Sequence, residues 1–482
     1  MVTLETLTKW ENELHNFGPV RMAGTQKTTD WENWLMDKFN GLGCTIQTDK
    51  FKLMSWEIDP DHDMSIQVIE SPGKQSESLD VVSYYPFAGS TLEKTPISGT
   101  ILFANENGIS GALSLLAKTN SDTMSRSIVV IEMPIGSSLF NMIKIYPELY
   151  PSNDPIKYNA PASAAMMANG IMRMFENKAR GIILCYTDIT NEAARYNHLP
   201  FSEPHGKIPA LWVGRDSMPI LRRLSGRGIA TLRLDAKLRP NSTATSFIAT
   251  LPGNSDEVLF ATTHTDGPNE VNENGALGLL SMATYFSSLS IEKRKRKMVF
   301  SLPTGHYSGG AITDTKTGSG RMAGTGGILS KFPELKNKMV GHVALEQMGA
   351  KEWFDVGNTY QATDKVAAQY WIPTTNTSTV IRKLFAAAIR GENLTYSRSA
   401  LVQSGFAPGE GGSVRAMGNP GIGLMGAPSY FLTAHPKGVI DKWDANVMYN
   451  EVAVATKLFI LMDRMPSTKL QGISDLNESD LL

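Results

Sequence analysis

The sequence predicts an α/β protein: a mainly parallel, mixed sheet with helices on both faces, interrupted by an inserted β-rich domain. Three observations carry that expectation. Strand-like apolar runs at 257–263, 297–302, 340–346 and 421–425 alternate with helical patterns at 275–289, 323–331, 378–390 and 446–463, the order in which crossover connections build a parallel sheet. A separate group of apolar runs, at 99–104, 127–132, 179–185 and 208–213, precedes that alternation and has its own helical segment at 162–177. Finally, 482 residues exceed what one core ordinarily organises. The expected layout is a main α/β domain from 1–96 and 246–464, an insert at 97–245, and a loosely held polar tail at 465–482.

In chain order, residues 1–45 read as a helical opening segment. Trp31, Leu35, Met36, Phe39 and Leu42 recur at helical spacing and stop at Gly43. A turn-rich loop from Gly18 to Thr25 precedes that helix, and strands around 49–57 and 63–70 follow it. Within the insert, a helix near 217–225 and a strand near 229–235 complete the pattern. Its loop at 136–160, rich in Pro, Tyr and Met, reads equally as a cleft wall or as a surface loop. The chain returns to the main domain at 246–253. Ligand-binding residues of open α/β sheets collect beyond the carboxyl ends of the strands. Three of the main-domain runs end at His264, His306 and Glu346, which points to one shared site.

Composition narrows the function classes. Lys+Arg 46 against Asp+Glu 47 leaves a net charge of -1, so nothing in the charge balance calls for nucleic acid or an anionic membrane as partner. The basic run from Lys293 to Lys297 directly precedes a strand and reads as a solvated turn. No stretch of about eighteen apolar residues is present, so no membrane span is expected. The first residues lack the basic-then-apolar order of a signal peptide, and two cysteines, Cys44 and Cys185, cannot make a disulfide framework. A cytoplasmic location is the expectation, although four glycosylation-type sequons keep secretion open. Neither a nucleophile elbow nor a phosphate-binding glycine loop occurs.

Around the three strand ends the chemistry-bearing residues fall in a definite order. His264 and Asp266 follow one apolar run, and Asn272, Glu273, Asn274 and Gly275 come next. Gly305, His306 and Tyr307 follow a second run, Glu346 closes a third, and His435 comes late with Asp441 and Asp444 downstream. A two-metal hydrolytic site needs His nitrogens and carboxylates around each ion, one bridging carboxylate, and a free carboxylate as base. In order and spacing these residues resemble the zinc aminopeptidase and glutamate carboxypeptidase family, whose co-catalytic two-metal centre hydrolyses peptide bonds. The opening loop with Pro19, Arg21 and Gly24 and an insert similar to a protease-associated domain extend the resemblance over nearly the whole chain.

The resemblance implies a zinc-exopeptidase-like fold and a role for each position. It makes His264, Glu346 and His435 metal ligands and has Asp266 orient His264. Asn274 stands where a bridging Asp is expected, with Glu273 one residue away. The stretch 272–275 is equally suited to capping the following helix, and both readings stay open. His306 takes the position of the base, a role it can fill near neutral pH. Tyr307 replaces a ligand Glu and suits a developing oxyanion better than a metal. Glu410 falls in a loop that contacts substrate. With Asn274 and Tyr307 in ligand positions, the expected cofactor is one zinc ion or none. Three functions follow: a divergent hydrolase of a peptide-like or amide bond with His306 as base; a small-molecule lyase, cyclase or isomerase using acid–base chemistry in the same cleft; or a silent binding protein. The polar, reactive character of the replacements favours an enzyme acting on a small-molecule or peptide-like substrate.

Overall fold

The computed structural model describes residues 2–87, 95–135, 145–146, 161–197, 206–311, 324–373, 378–392, 399–402, 409–415, 418–472, 474–475 and 477. Two eight-stranded sheets organise them. The first runs in the order Thr45–Glu57, Lys237–Leu251, Lys297–Leu302, Val258–Thr262, Met339–Glu346, Gly421–Gly426, Gln369–Pro373 and Ser399–Leu401. Its four central strands, from Lys297–Leu302 to Gly421–Gly426, are parallel, and antiparallel pairs flank them. Their residues are apolar and buried because both faces carry helices. The helix Gly275–Ser287 is apolar on nearly every side and lies in the same core as Ala445–Arg464, whose N-terminus Asp444 caps through Asn446 N and Val447 N.

The second sheet runs Glu77–Leu79, Met64–Ile69, Ile229–Leu234, Ile97–Phe103, Ser127–Met133, Gly181–Tyr186, Ala210–Val213 and Val81–Tyr85. Three expectations change here. The segment 64–85, expected in the main domain, joins this second sheet: Met64–Ile69 pairs with Ile229–Leu234 and Val81–Tyr85 with Ala210–Val213. The second unit therefore begins before residue 97. It is also less purely β than expected: four of its strands run parallel, and the helices Gly108–Lys118 and Ala162–Phe175 pack over them. The basic run is solvated only in part: Lys293 and Lys295 are exposed, whereas Arg294 and Arg296 are buried. Arg294 donates to the carbonyls of Pro252, Phe286 and Leu289, and buried Arg296 binds Glu257 and the carbonyls of Met462 and Asp463.

The tail begins as structure rather than as a loose end: Ser467–Leu470 is helical, Leu470 is buried, and Ser467 accepts from Arg296. Of the 136–160 loop only Ile145 and Tyr146 are described; they meet Val402 and Leu401 at the edge of the first sheet. The rest of that loop lies outside the described residues. The two units touch where Thr190 binds Asp355 and where Asn197 pairs with Thr433.

Candidate active site

The loops that follow Val258–Thr262 and Lys297–Leu302 place His264, Asp266, His306 and Tyr307 together, and the end of Met339–Glu346 brings Glu346 against them. This is the carboxyl edge of the parallel strands, where such sheets collect their sites. His264 is fully buried, and its Nδ1 lies 2.7 Å from the carbonyl oxygen of Asp266. A carbonyl only accepts, so Nδ1 carries the proton and the neutral ring turns an Nε2 lone pair outward. That lone pair has no hydrogen-bond donor. It faces Glu346 Oε2 at 3.6 Å. Two buried potential ligand atoms therefore face each other here.

The expected orienting role of Asp266 is thus performed by its main chain. The carboxylate itself acts elsewhere, with Oδ1 and Oδ2 accepting from the main-chain N–H groups of His306 and Tyr307 at 3.1 and 3.3 Å. Asp266 therefore fixes the turn on the neighbouring strand. Burial raises its pKa, against the opposing charges of His264 and His306.

His306 stacks on His264, with ring centres 4.6 Å apart and planes 7° from parallel. Its Nδ1 lies 2.5 Å from Glu410 Oε1. Burial lowers the pKa of the ring, but the Glu410 carboxylate, helped by Glu346 and Asp266, outweighs burial and holds it up at about 9. Burial would raise Glu410 in turn, yet His306 pulls it below the ordinary carboxylate range. Glu410 does not reach out to a substrate as expected. Both its oxygens are engaged, the second by Thr325 N at 2.5 Å, and its own N–H donates to Glu346 Oε1 at 2.5 Å. Gly409 sits at φ +74°, and a Cβ there would collide with Glu346 Oε1. Only glycine lets this loop close on the carboxylate.

The remaining sequence candidates point elsewhere. Tyr307 is buried, and its hydroxyl donates to Asn272 Oδ1 at 2.5 Å, while Asn272 Nδ2 donates to the Phe431 carbonyl at 3.0 Å. Burial lifts the phenol well above its usual pKa. Glu273, a sequence candidate for a ligand, is here the ion-pair partner of buried Arg21. Burial brings Arg21 down only to about 10, so it remains a cation at neutral pH. Asn274 is neither ligand nor side-chain cap: its amide clamps the main chain of Met348, Nδ2 to the carbonyl at 2.8 Å and Oδ1 from the N–H at 2.9 Å.

His435 accepts from Lys437 N at Nδ1, 3.0 Å away. Its neutral ring then keeps the proton on Nε2 and has no lone pair left for a metal. Burial, followed by Lys442 and Lys437, lowers its pKa. Among the described residues, His264, His306 and Glu346 form the group whose potential ligand atoms all lie within 4.8 Å of one another. Arg21 and Asn272 have parts in this arrangement that sequence reasoning missed. Arg21 is visible in the sequence only as part of a loop motif, and nothing local pairs Asn272 with Tyr307.

No protein-family model matches the chain, and no curated protein matches it by sequence. Solved structures do. An aminopeptidase from Aneurinibacillus sp. strain AM-1 superposes with a TM-score of 0.57 at 12% identity, covering 98% of this chain and 97% of that one. A zinc aminopeptidase from Bacillus subtilis gives 0.59 at 12% identity over 95% and 93%. A peptidase M28 precursor from Shewanella amazonensis SB2B gives 0.59 at 14% identity over 95% and 96%. The chain has a zinc-aminopeptidase-like α/β fold along nearly its whole length. Among the described residues no helix is long and apolar enough to cross a membrane.

Proposed function

We propose that this protein is a divergent hydrolase of peptide-like or amide bonds that works with a single metal ion, zinc being the natural candidate. The observation that carries the reading is the facing of His264 Nε2 and Glu346 Oε2, 3.6 Å apart and without a donor between them. Two donors each ~2.1 Å from a tetrahedral ion lie roughly 3.4 Å from each other, so this spacing suits two ligands of one ion. His264 and Glu346 would hold it, with His306 alongside. When bound, such an ion polarises a carbonyl and lowers the pKa of water.

Contacts among the described residues argue against a second ion. Glu273 is paired with Arg21, Asn274 with Met348, Tyr307 with Asn272, and the His435 lone pair with Lys437 N–H. These pairings favour a one-ion reaction over the two-metal chemistry that the sequence resemblance implied.

The chain's own groups supply the proton handling. His306 is the base in this reading. Glu410 accepts its Nδ1–H, which puts the basic lone pair on Nε2. That nitrogen takes the proton of the attacking water and returns it to the leaving amine. An ion held by His264 and Glu346 would place positive charge beside the His306 ring, against the pull of Glu410. Asp266 fixes the main chain of the turn that carries His306. The named neighbours, aminopeptidases and a peptidase, support peptide-like substrates. A lyase or isomerase using Tyr307 as acid has less support, because that hydroxyl is committed to Asn272.

The test is elemental analysis of the purified protein together with a hydrolysis screen of aminoacyl amides, dipeptides and N-acyl amides. About one equivalent of zinc and cleavage of at least one class is expected. Two equivalents, or full hydrolysis by metal-stripped protein, would sink the proposal.

A further inference from the structure

Glu32 is a buried acid that the proposed mechanism does not use. It lies on the helix Gln26–Gly41, 2% exposed, beneath the loops that carry the site. Thr265, between His264 and Asp266, places Oγ1 3.1 Å from Glu32 Oε1 and 3.2 Å from the carbonyl oxygen of Pro303. Thr265 N donates to that same carbonyl at 2.9 Å, and Pro303 opens the turn that carries His306.

A threonine hydroxyl owns one proton. If Glu32 were ionised, both close neighbours of Oγ1 would be acceptors, and one contact would set lone pair against lone pair out of reach of water. A neutral carboxyl removes the conflict. Its O–H donates to Thr265 Oγ1, and Thr265 O–H donates to the Pro303 carbonyl. The surroundings agree. Burial first, then the charge of Asp266, push the carboxyl up to about 8, and they outweigh the opposing hydrogen bonds around it.

We infer that Glu32 is kept as a neutral carboxylic acid and acts as a positioning residue, its proton chain through Thr265 to Pro303 tying the loop of His264 to the turn of His306. The purpose of that tie rests on the proposed single-ion site, whereas the protonation does not.

The state of Glu32 is read by infrared difference spectroscopy of the whole protein against Glu32→Gln at pH 6.5. The carbonyl stretch of a protonated, buried carboxyl should be lost in the variant, and its absence from the wild-type protein overturns the inference. Positioning is read from the imidazole proton resonances of His264 and His306. They should move in Glu32→Leu but stay in Glu32→Gln, whose amide still donates to Thr265. Should Glu32→Leu fail to fold, Thr265→Val against Thr265→Ser makes the same comparison. Unmoved resonances in Glu32→Leu and Thr265→Val overturn the positioning role.

Zinc affinity by chelator competition adds a third readout: roughly tenfold weaker in Glu32→Leu and within about threefold in Glu32→Gln, the scale usual for groups that orient a ligand. If the wild-type protein binds no zinc, the single-ion reading falls, while the infrared and resonance results still decide the fate of Glu32.

Discussion

On one side of the candidate site, His264 Nε2 and Glu346 Oε2 confront each other with nothing to reconcile them, and His306 leans on Glu410 a ring's thickness away. On the other side, Glu273, Asn274, Tyr307 and His435 have each found a partner within the protein. A buried polar atom without a partner costs free energy, a cost that an ion held between these two would relieve. The open half has that feature and the closed half largely lacks it; Glu273 Oε2 is an unbonded oxygen, but it belongs to a carboxylate already facing a guanidinium. The contrast teaches that residue type alone does not define a ligand. What decides is whether its lone pair is already spent.

The sharpest way to break the contrast is to remove one residue from each half. His264→Ala should lose the zinc and with it several kcal/mol of transition-state stabilisation, on the order of 10³ in rate. His435→Ala should keep the zinc. Elemental analysis of both variants decides it, and equal loss would mean that both halves bind metal.

The closed half should instead depend on Arg21. Replacing it with Met strands the buried Glu273 carboxylate and also takes the cation from beside Glu11 and Glu270, and a broken buried pair of this kind costs about 3–5 kcal/mol. Thermal unfolding should show a large drop in Tm. Adding Glu273→Leu should restore much of it, because an apolar pair of similar volume is often close to neutral there. Metal removal by a chelator should leave this half standing; a collapse equal to that of Arg21→Met would show an ion at work in it.

Behind the Asn274–Met348 clamp, Gly349 N donates to buried Glu451, whose other oxygen has no hydrogen-bond partner. Burial, against that hydrogen bond, raises the Glu451 pKa from 4.5 to about 8. The sign follows directly. The folded state holds the proton more tightly than the unfolded one, so this group's contribution to stability is complete below about pH 4.5 and is lost as pH rises towards 8. Glu451→Gln should therefore match the wild-type protein near pH 5 and exceed it at pH 9 by on the order of a few kcal/mol. Denaturant melts at both pH values check this, and a gain of the same size at pH 5 would contradict it.

The parts of the molecule that sequence reading recovered are those with short-range signatures. The run of residues 258–262 is apolar because parallel strands are covered on both faces, and His264 and Glu346 could be placed at strand ends from that alone. The boundary at 97 failed because Met64–Ile69 looks like any half-buried strand and nothing in it reveals a partner far along the chain at 229–234. The basic run misled for a related reason: Arg294 and Arg296 find their carbonyl acceptors in distant helix ends and loops. Within the site, the place of His306 beyond a strand end was legible, but Glu410 as its partner is a contact across 104 positions. Residue types propose roles, whereas long-range pairing assigns them.

The smallest effect is expected at Tyr307, where sequence reading placed an oxyanion donor. Tyr307→Phe keeps the ring against His264 and removes only the hydroxyl that donates to Asn272 Oδ1. Asn272 would still hold the Phe431 carbonyl through Nδ2, so the loss is one buried hydrogen bond with an acceptor left behind, about 1–3 kcal/mol of stability. Turnover should stay within about threefold, since a group acting on a developing oxyanion would cost on the order of 10²–10³ in kcat. Measuring kcat and Tm on the same preparation separates the two. A hundredfold fall in kcat at nearly unchanged Tm would place Tyr307 on the reacting groups, because its hydroxyl would then have to leave Asn272 during the reaction.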